Sequence, residues 1–194
     1  MSGAKAIQTV AMTEAAAHGA CALCTVLRHY QTHLVMVNGV PKASHLCNQH
    51  AWLVARSAPA ALAARIYAQV LEARRRQSGN KKLVCDFCAE LRREEAVRLN
   101  ELVQRMKAPA FASWMRRSGT LCQWHAQRLS QENPGIQPVI DEILSRTIAE
   151  LEEDLVKCVG NETREAHNVG GGVLGRVAEF LACQRGIPGE ETPC

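Results

Sequence analysis

Cys21-Ala-Leu-Cys24-Thr-Val-Leu27-Arg28 returns further along the chain as Cys85-Asp-Phe-Cys88-Ala-Glu-Leu91-Arg92. In both copies a CxxC pair runs directly into apolar residues spaced for one face of a helix. Leu23, Val26, Leu27, Tyr30, Leu34 and Val37 form the first stripe, which Asn38-Gly39 and Pro41 bring to an end. Phe87, Leu91, Leu102 and Met106 form the second, which stops near Pro109. A second motif follows each stripe: Leu46-Cys47-Asn-Gln-His50-Ala51 and Leu121-Cys122-Gln-Trp-His125-Ala126. Pro59 and Pro134 each stand twelve residues beyond that motif's cysteine, and with a shift of one residue Ile66 and Val70 line up with Ile140 and Leu144. Residues 20–78 and 84–158 therefore read as two copies of one helical unit.

The remaining segments keep helical spacing. Leu62, Ile66 and Val70 make a stripe after Pro59, a residue tolerated in a first helical turn. Phe111, Trp114 and Met115 fit a short helix after Pro109. Asn133-Pro134 is a helix-start signal ahead of Ile136, Ile140, Ile143, Leu144, Ile148, Leu151 and Leu155. The expected fold is an all-α bundle of two pseudo-repeated halves, each with its own metal-ligand cluster. The spacer between CxxC and CxxH is 22 residues in the first half and 33 in the second, a difference of about three helical turns. Residues 1–19 read as an N-terminal segment and 79–83 as a basic linker. Residues 159–194 read as a glycine-rich stretch, a helix over Val173–Gln184 and a disordered end.

Each half supplies three thiols and one imidazole, the donor set of a closed Cys3His zinc site. The expected ligands are Cys21, Cys24, Cys47 and His50 in one half, and Cys85, Cys88, Cys122 and His125 in the other; pairing within each half is the simpler reading, and exchange of partners between the halves is the alternative. Two donors at i and i+3 lie on the same side of one helical turn. Helix-start N–H groups favour thiolate over thiol. Such a shell leaves no open coordination position, which favours structure over catalysis. Soft thiolates with one imidazole suit zinc, and an iron–sulfur cluster in the same residues is the alternative cofactor.

Composition agrees with a soluble globular chain: 194 residues, 47% hydrophobic, 22% charged and only 4% aromatic. The N-terminus lacks a secretory pattern, and the most apolar stretch, Ala51 to Ala64, contains Arg56 and Pro59 and is too short to span a bilayer. A cytoplasmic location is expected, where nine cysteines are more readily ligands than disulfides. Cys158, Cys183 and Cys194 are left over as small core or terminal residues. Residues 1–125 hold 17 Lys/Arg against 7 Asp/Glu, and residues 126–194 hold 6 against 12. This asymmetry can neutralise itself within the chain. Five positive charges over Arg74–Lys82, interrupted by Ser78-Gly79-Asn80, read as a solvated linker sooner than a nucleic-acid patch.

Other chemistry fits less well. A thioredoxin-like CxxC needs a strand–helix context, and covalent haem needs CxxCH, where this chain has Thr25 and Ala89. His29 and His33 share a helix face, but no Glu stands between them as in HExxH. Gly170-Gly171-Gly172 lacks the strand and the Lys-Ser/Thr of a phosphate loop. Trp52 and Trp124, beside the ligand histidines, are expected to pack as lids over the sites. No acid–base or nucleophilic constellation stands out, so the chain reads as a non-enzyme.

The paired CxLC-type and LCxxHA motifs, with a late Arg176-Val-Ala-Glu179-Phe180-Leu181 segment, resemble an uncharacterised family of helical bacterial proteins of about this size. The resemblance covers Cys21–Cys24, Leu46–Ala51, Cys85–Cys88, Leu121–Ala126 and Arg176–Leu181. This chain has Ala22 and Asp86 where many such proteins read Cys-Pro-x-Cys. The resemblance implies a helical fold and the eight ligands, and no activity. The functional expectation is a metal-stapled adaptor that binds another protein and no membrane. An iron–sulfur or dithiol redox protein is the first alternative. Nucleic-acid binding through Arg74–Lys82 and Arg116-Arg117 is the second.

Overall fold

The structure, a computed structural model, describes residues 19–38, 43–76, 84–160 and 172–182. Among these residues there are eight α-helices and no strand, as the spacing predicts. They are α1 (Ala22–His33), α2 (Asn48–Ser57), α3 (Ala60–Arg76), α4 (Asp86–Met106), α5 (Pro109–Ser118), α6 (Gln123–Glu132), α7 (Gln137–Gly160) and α8 (Val173–Ala182). Among them no helix is long and apolar enough to cross a membrane. Residues 1–18 of the N-terminal segment, the 79–83 linker, Gly170 and Gly171, and Cys183 and Cys194 lie outside the described residues, as does the side chain of Cys158.

The chain forms two compact units that do not follow sequence order. One comprises Met1–Val26 and Val97–Arg185, the other Leu27–Ala96 and Gly186–Cys194. Each unit thus takes chain from both of the ranges 20–78 and 84–158.

In the first unit the second half of α4 supplies Leu99, Leu102, Val103 and Met106 to a core shared with Met115 of α5 and Leu129 of α6. Ile140 and Ile143 of α7 complete it, both fully buried. The longer spacer after the second CxxC holds both a longer helix, α4 with 21 residues against 12 in α1, and the additional α5. It does not simply lengthen α4. Arg146 on α7 holds the end of α5, donating Nε–H to the Arg116 carbonyl at 2.9 Å and a second N–H to the Gly119 carbonyl. A guanidinium on these unsatisfied C-terminal carbonyls also complements the helix dipole. Gly119 is there because a Cβ would lie 2.6 Å from the Met115 sulfur and 2.9 Å from the Met115 carbonyl. Leu121 and Cys122 follow directly, so this anchor sets where the CxxH motif begins.

In the second unit α1 ends in a π-helical turn, Leu34–Asn38, and the wider turn leaves both Leu34 and Val35 buried. Val54 of α2, Leu62 and Ile66 of α3 and Phe87 of α4 join them in one core. Tyr67 ties α3 to α2 through a 2.8 Å hydrogen bond to the Ala51 carbonyl. Tyr30 donates to Glu90 at 2.9 Å; burial and that carboxylate push the phenol up to about 12.

Candidate metal centres

All four motifs adopt the same local geometry. The carbonyls of Cys21, Cys47, Cys85 and Cys122 accept the first helical hydrogen bond, from Thr25, Ala51, Ala89 and Ala126, at 2.9–3.0 Å. Each first cysteine is therefore an N-cap residue, and Cys24, His50, Cys88 and His125 stand three positions into the helix. Cys47 and Cys122 have the extended backbone of that position, with φ and ψ of −74° and 165°, and −73° and 160°. The N-cap is where an oxygen from Ser, Thr, Asp or Asn usually receives backbone N–H groups. At Cys85 sulfur takes that place and accepts from the N–H groups of Cys88 and Cys47.

These helix starts meet in pairs, but not the pairs expected from sequence order. Cys21 and Cys24 lie with Cys122 and His125, and Cys85 and Cys88 lie with Cys47 and His50. The expectation of one cluster within each half, Cys21/Cys24 with Cys47/His50 and Cys85/Cys88 with Cys122/His125, is thus corrected. Each cluster joins the CxxC of one expected half to the CxxH of the other. The Cys47–His50 motif, the next after α1, does not close on Cys21 and Cys24. That motif closes on the start of α4 instead. A matching backbone hydrogen bond joins both pairs. Ala22 N–H donates to the Thr120 carbonyl and Asp86 N–H to the His45 carbonyl, each at 3.0 Å. In both cases the donor follows the CxxC's first cysteine, and the acceptor stands two residues before the CxxH.

The four donors of each cluster are buried and lie within 4.8 Å of one another. His125 Nδ1 is 3.4, 3.4 and 3.2 Å from the sulfurs of Cys21, Cys24 and Cys122. His50 Nδ1 is 3.3, 3.5 and 3.3 Å from those of Cys47, Cys85 and Cys88. The Cys24–Cys122 and Cys47–Cys88 sulfurs are each 3.8 Å apart. One tetrahedral ion with metal–sulfur bonds of about 2.3 Å and a metal–nitrogen bond of about 2.0 Å requires edges of roughly 3.8 Å and 3.5 Å. The residues fit such an ion.

Their electrostatics agree. Burial raises the Cys21 thiol, but hydrogen bonds with Cys122 and Cys24 and the His125 ring outweigh it and hold the group well below its ordinary range. At Cys85 the hydrogen bond with Cys88 is the largest influence. It prevails over burial and, with His50 and the backbone donors, holds the thiol at about 3. Converging thiolates repel one another unless a cation lies between them.

A further set of contacts fixes the ligands. The Asp86 carboxylate accepts from Ser44 N–H at 2.6 Å, His45 N–H at 2.7 Å and the Ser44 hydroxyl at 3.1 Å, which clasps the approach to Cys47 onto the start of α4. Phe87 stacks on the His50 ring, centroids 5.5 Å apart and planes 24° apart. His50 Nε2 meets the Gln31 side-chain nitrogen at 3.2 Å. An Asp just inside a helix start was a readable signal, whereas Gln31 carries none in its own neighbourhood.

The other expected residues fall as follows. Trp52 is 58% exposed with Arg56 over its ring, so it is no lid; it lies on the outer face of α2, opposite to buried Val54. Trp124 is partly buried against the first core. His29 and His33 are exposed on α1. Several basic-patch residues are engaged internally: Arg74 with His45, Arg76 with Glu72, Arg116 with Glu142 and Arg117 with Ser113. Lys81 and Lys82 lie outside the described residues. Comparison with protein-family models, curated proteins and solved structures gave no match.

Proposed function

We propose that the protein is a zinc-stapled helical interaction module, with one structural zinc ion in each Cys3His cluster. Cys21, Cys24, Cys122 and His125 hold one ion; Cys47, His50, Cys85 and Cys88 hold the other. The observation that carries this reading is the set of sulfur–sulfur and sulfur–nitrogen distances, which match the edges of a single-ion tetrahedron twice over. A multi-iron cluster sits inside its ligands and requires its sulfurs farther apart, so the same distances favour one ion over iron–sulfur chemistry. The donors are at most 7% exposed and every tetrahedral position is filled, which favours a staple over a reacting centre. The working surface is then the helices the ions hold in place, and their partner is another protein.

Metal analysis of the chain purified without added metal tests the reading. Two zinc ions per chain are expected. Folded protein with almost no metal contradicts it, as does a brown preparation whose visible absorption is bleached by dithionite.

A further inference from the structure

The His50 ring is fully buried and presents its two nitrogens to different surroundings. Nδ1 faces three sulfurs, and Nε2 faces Gln31 near the end of α1. Phe87 covers the ring face. The ring's orientation, and with it the direction of the Nδ1 lone pair, is therefore held by Phe87 against its face and by Gln31 at Nε2.

A neutral imidazole has one N–H and one lone pair. When Nδ1 gives its lone pair to a cation, its proton passes to solvent, and Nε2 takes one up and becomes the donor. The group facing Nε2 must then accept. A carboxamide can meet both conditions without a charge. Its nitrogen donates to Nε2 in the orientation seen, and a half-turn about the last side-chain bond brings its oxygen there. The sequence gives an internal parallel. Gln31 stands seven residues after Cys24, and the same register in α4, seven residues after Cys88, holds Glu95. Glu95 is only 2% exposed, so both CxxC helices place an acceptor-bearing side chain at this step.

We propose that Gln31 is the positioning residue of the second cluster, its carboxamide holding His50 by Nε2 so that Nδ1 points at the cation, with its oxygen accepting the Nε2 proton in the loaded site. This rests on the metal reading of that cluster. Outer partners of ligating histidines typically change metal affinity by about 10- to 100-fold when removed.

The test compares full-length parent, Gln31→Met and Gln31→Glu. Zinc affinity is measured by chelator competition and the His50 ring nitrogens by NMR of the zinc-loaded proteins. Methionine keeps the volume and loses both hydrogen-bonding groups; glutamate keeps the acceptor. Gln31→Met should weaken one of the two sites by about 10- to 100-fold and leave the other unchanged. Gln31→Glu should hold both sites at parent affinity or tighter, with the proton on Nε2 of His50. A side chain that merely fills space gives the opposite order, with methionine tolerated and the buried carboxylate harmful. That order, or unchanged affinity at both sites in Gln31→Met, overturns the proposal. If Gln31→Met does not fold, Gln31→Glu decides alone, because weakened binding in that variant overturns it too. Failure of the metal reading is distinguishable, since the parent would then bind no zinc at all.

Discussion

Asp86 lies between two metal-ligand positions, yet its carboxylate works on the backbone, accepting two N–H groups and a hydroxyl from Ser44 and His45. Hydrogen bonds to a charged group are worth about 1.5–3 kcal/mol each in mutational series. Asp86→Ala should therefore destabilise the second unit by about 2–4 kcal/mol and weaken zinc at Cys47, His50, Cys85 and Cys88 alone. Chemical denaturation with site-resolved zinc titration checks this, and equal weakening of both sites would count against the clasp. Ala22 holds the matching place in α1 and makes the backbone bond to Thr120 without a side-chain clasp. Gly119 makes the opposite demand, for absence. A Cβ there meets the Met115 carbonyl at 2.9 Å, which only a backbone shift relieves. Gly119→Ala should cost about 1–3 kcal/mol of stability, read as a lowered melting temperature. A melting temperature equal to the parent's would show that the end of α5 gives way freely.

At the scale of elements, helix α8 is attached to α7 by Arg176 and Asp154, and Arg176 also lies over Gly19, whose φ is +61°. With Phe180 it lines a small cleft that reaches Cys21 and Cys122. The hydrogen bond from Arg176 is the main cause holding the Asp154 carboxyl below its ordinary range. A depressed carboxyl contributes stability that is fully present above its unfolded value, about 3.9, and is lost as pH falls below it. The melting-temperature gap between Asp154→Asn and the parent should thus be open at neutral pH and narrow as pH drops through about 4. A gap that widens in acid would show that the charge is not what attaches α8. The helices themselves were legible because Leu62, Ile66 and Val70, or Ile136, Ile140 and Ile143, repeat at a period only a helix satisfies. The Cys and His members of the two clusters were legible because such residues at i and i+3 on a helix start form a local pattern. The outward face of Trp52 was not legible. Its rotation on α2 is set by which residues α3 and the π-turn cover, and its nearness to His50 in sequence conveys nothing of that.

At the scale of the molecule, the partners of the ligands were the illegible part. Two equivalent CxxC and two equivalent CxxH helix starts allow two pairings with identical local chemistry, and only the chain's path between them decides. The outcome, the CxxC of residues 21–24 with the CxxH of 122–125 and the CxxC of 85–88 with the CxxH of 47–50, puts each cluster inside one compact unit. His125→Ala should then release one zinc and loosen the unit of Met1–Val26 and Val97–Arg185. Structural zinc in small sites is worth about 10 kcal/mol or more, against a net domain stability of about 5–15 kcal/mol. Hydrogen exchange should show protection lost over α5, α6 and α7 and kept over α2 and α3. Within-repeat pairing predicts loss over the whole of 84–158 instead, including the start of α4. The most direct measurement replaces both ions with cadmium-113 and correlates each metal with the cysteine and histidine protons it couples to. Two metal signals are predicted, one coupled to Cys21, Cys24, Cys122 and His125 and the other to Cys47, His50, Cys85 and Cys88. A single signal coupled to both Cys21 and Cys47, or any signal coupled to Cys85 and Cys122 together, would contradict the account.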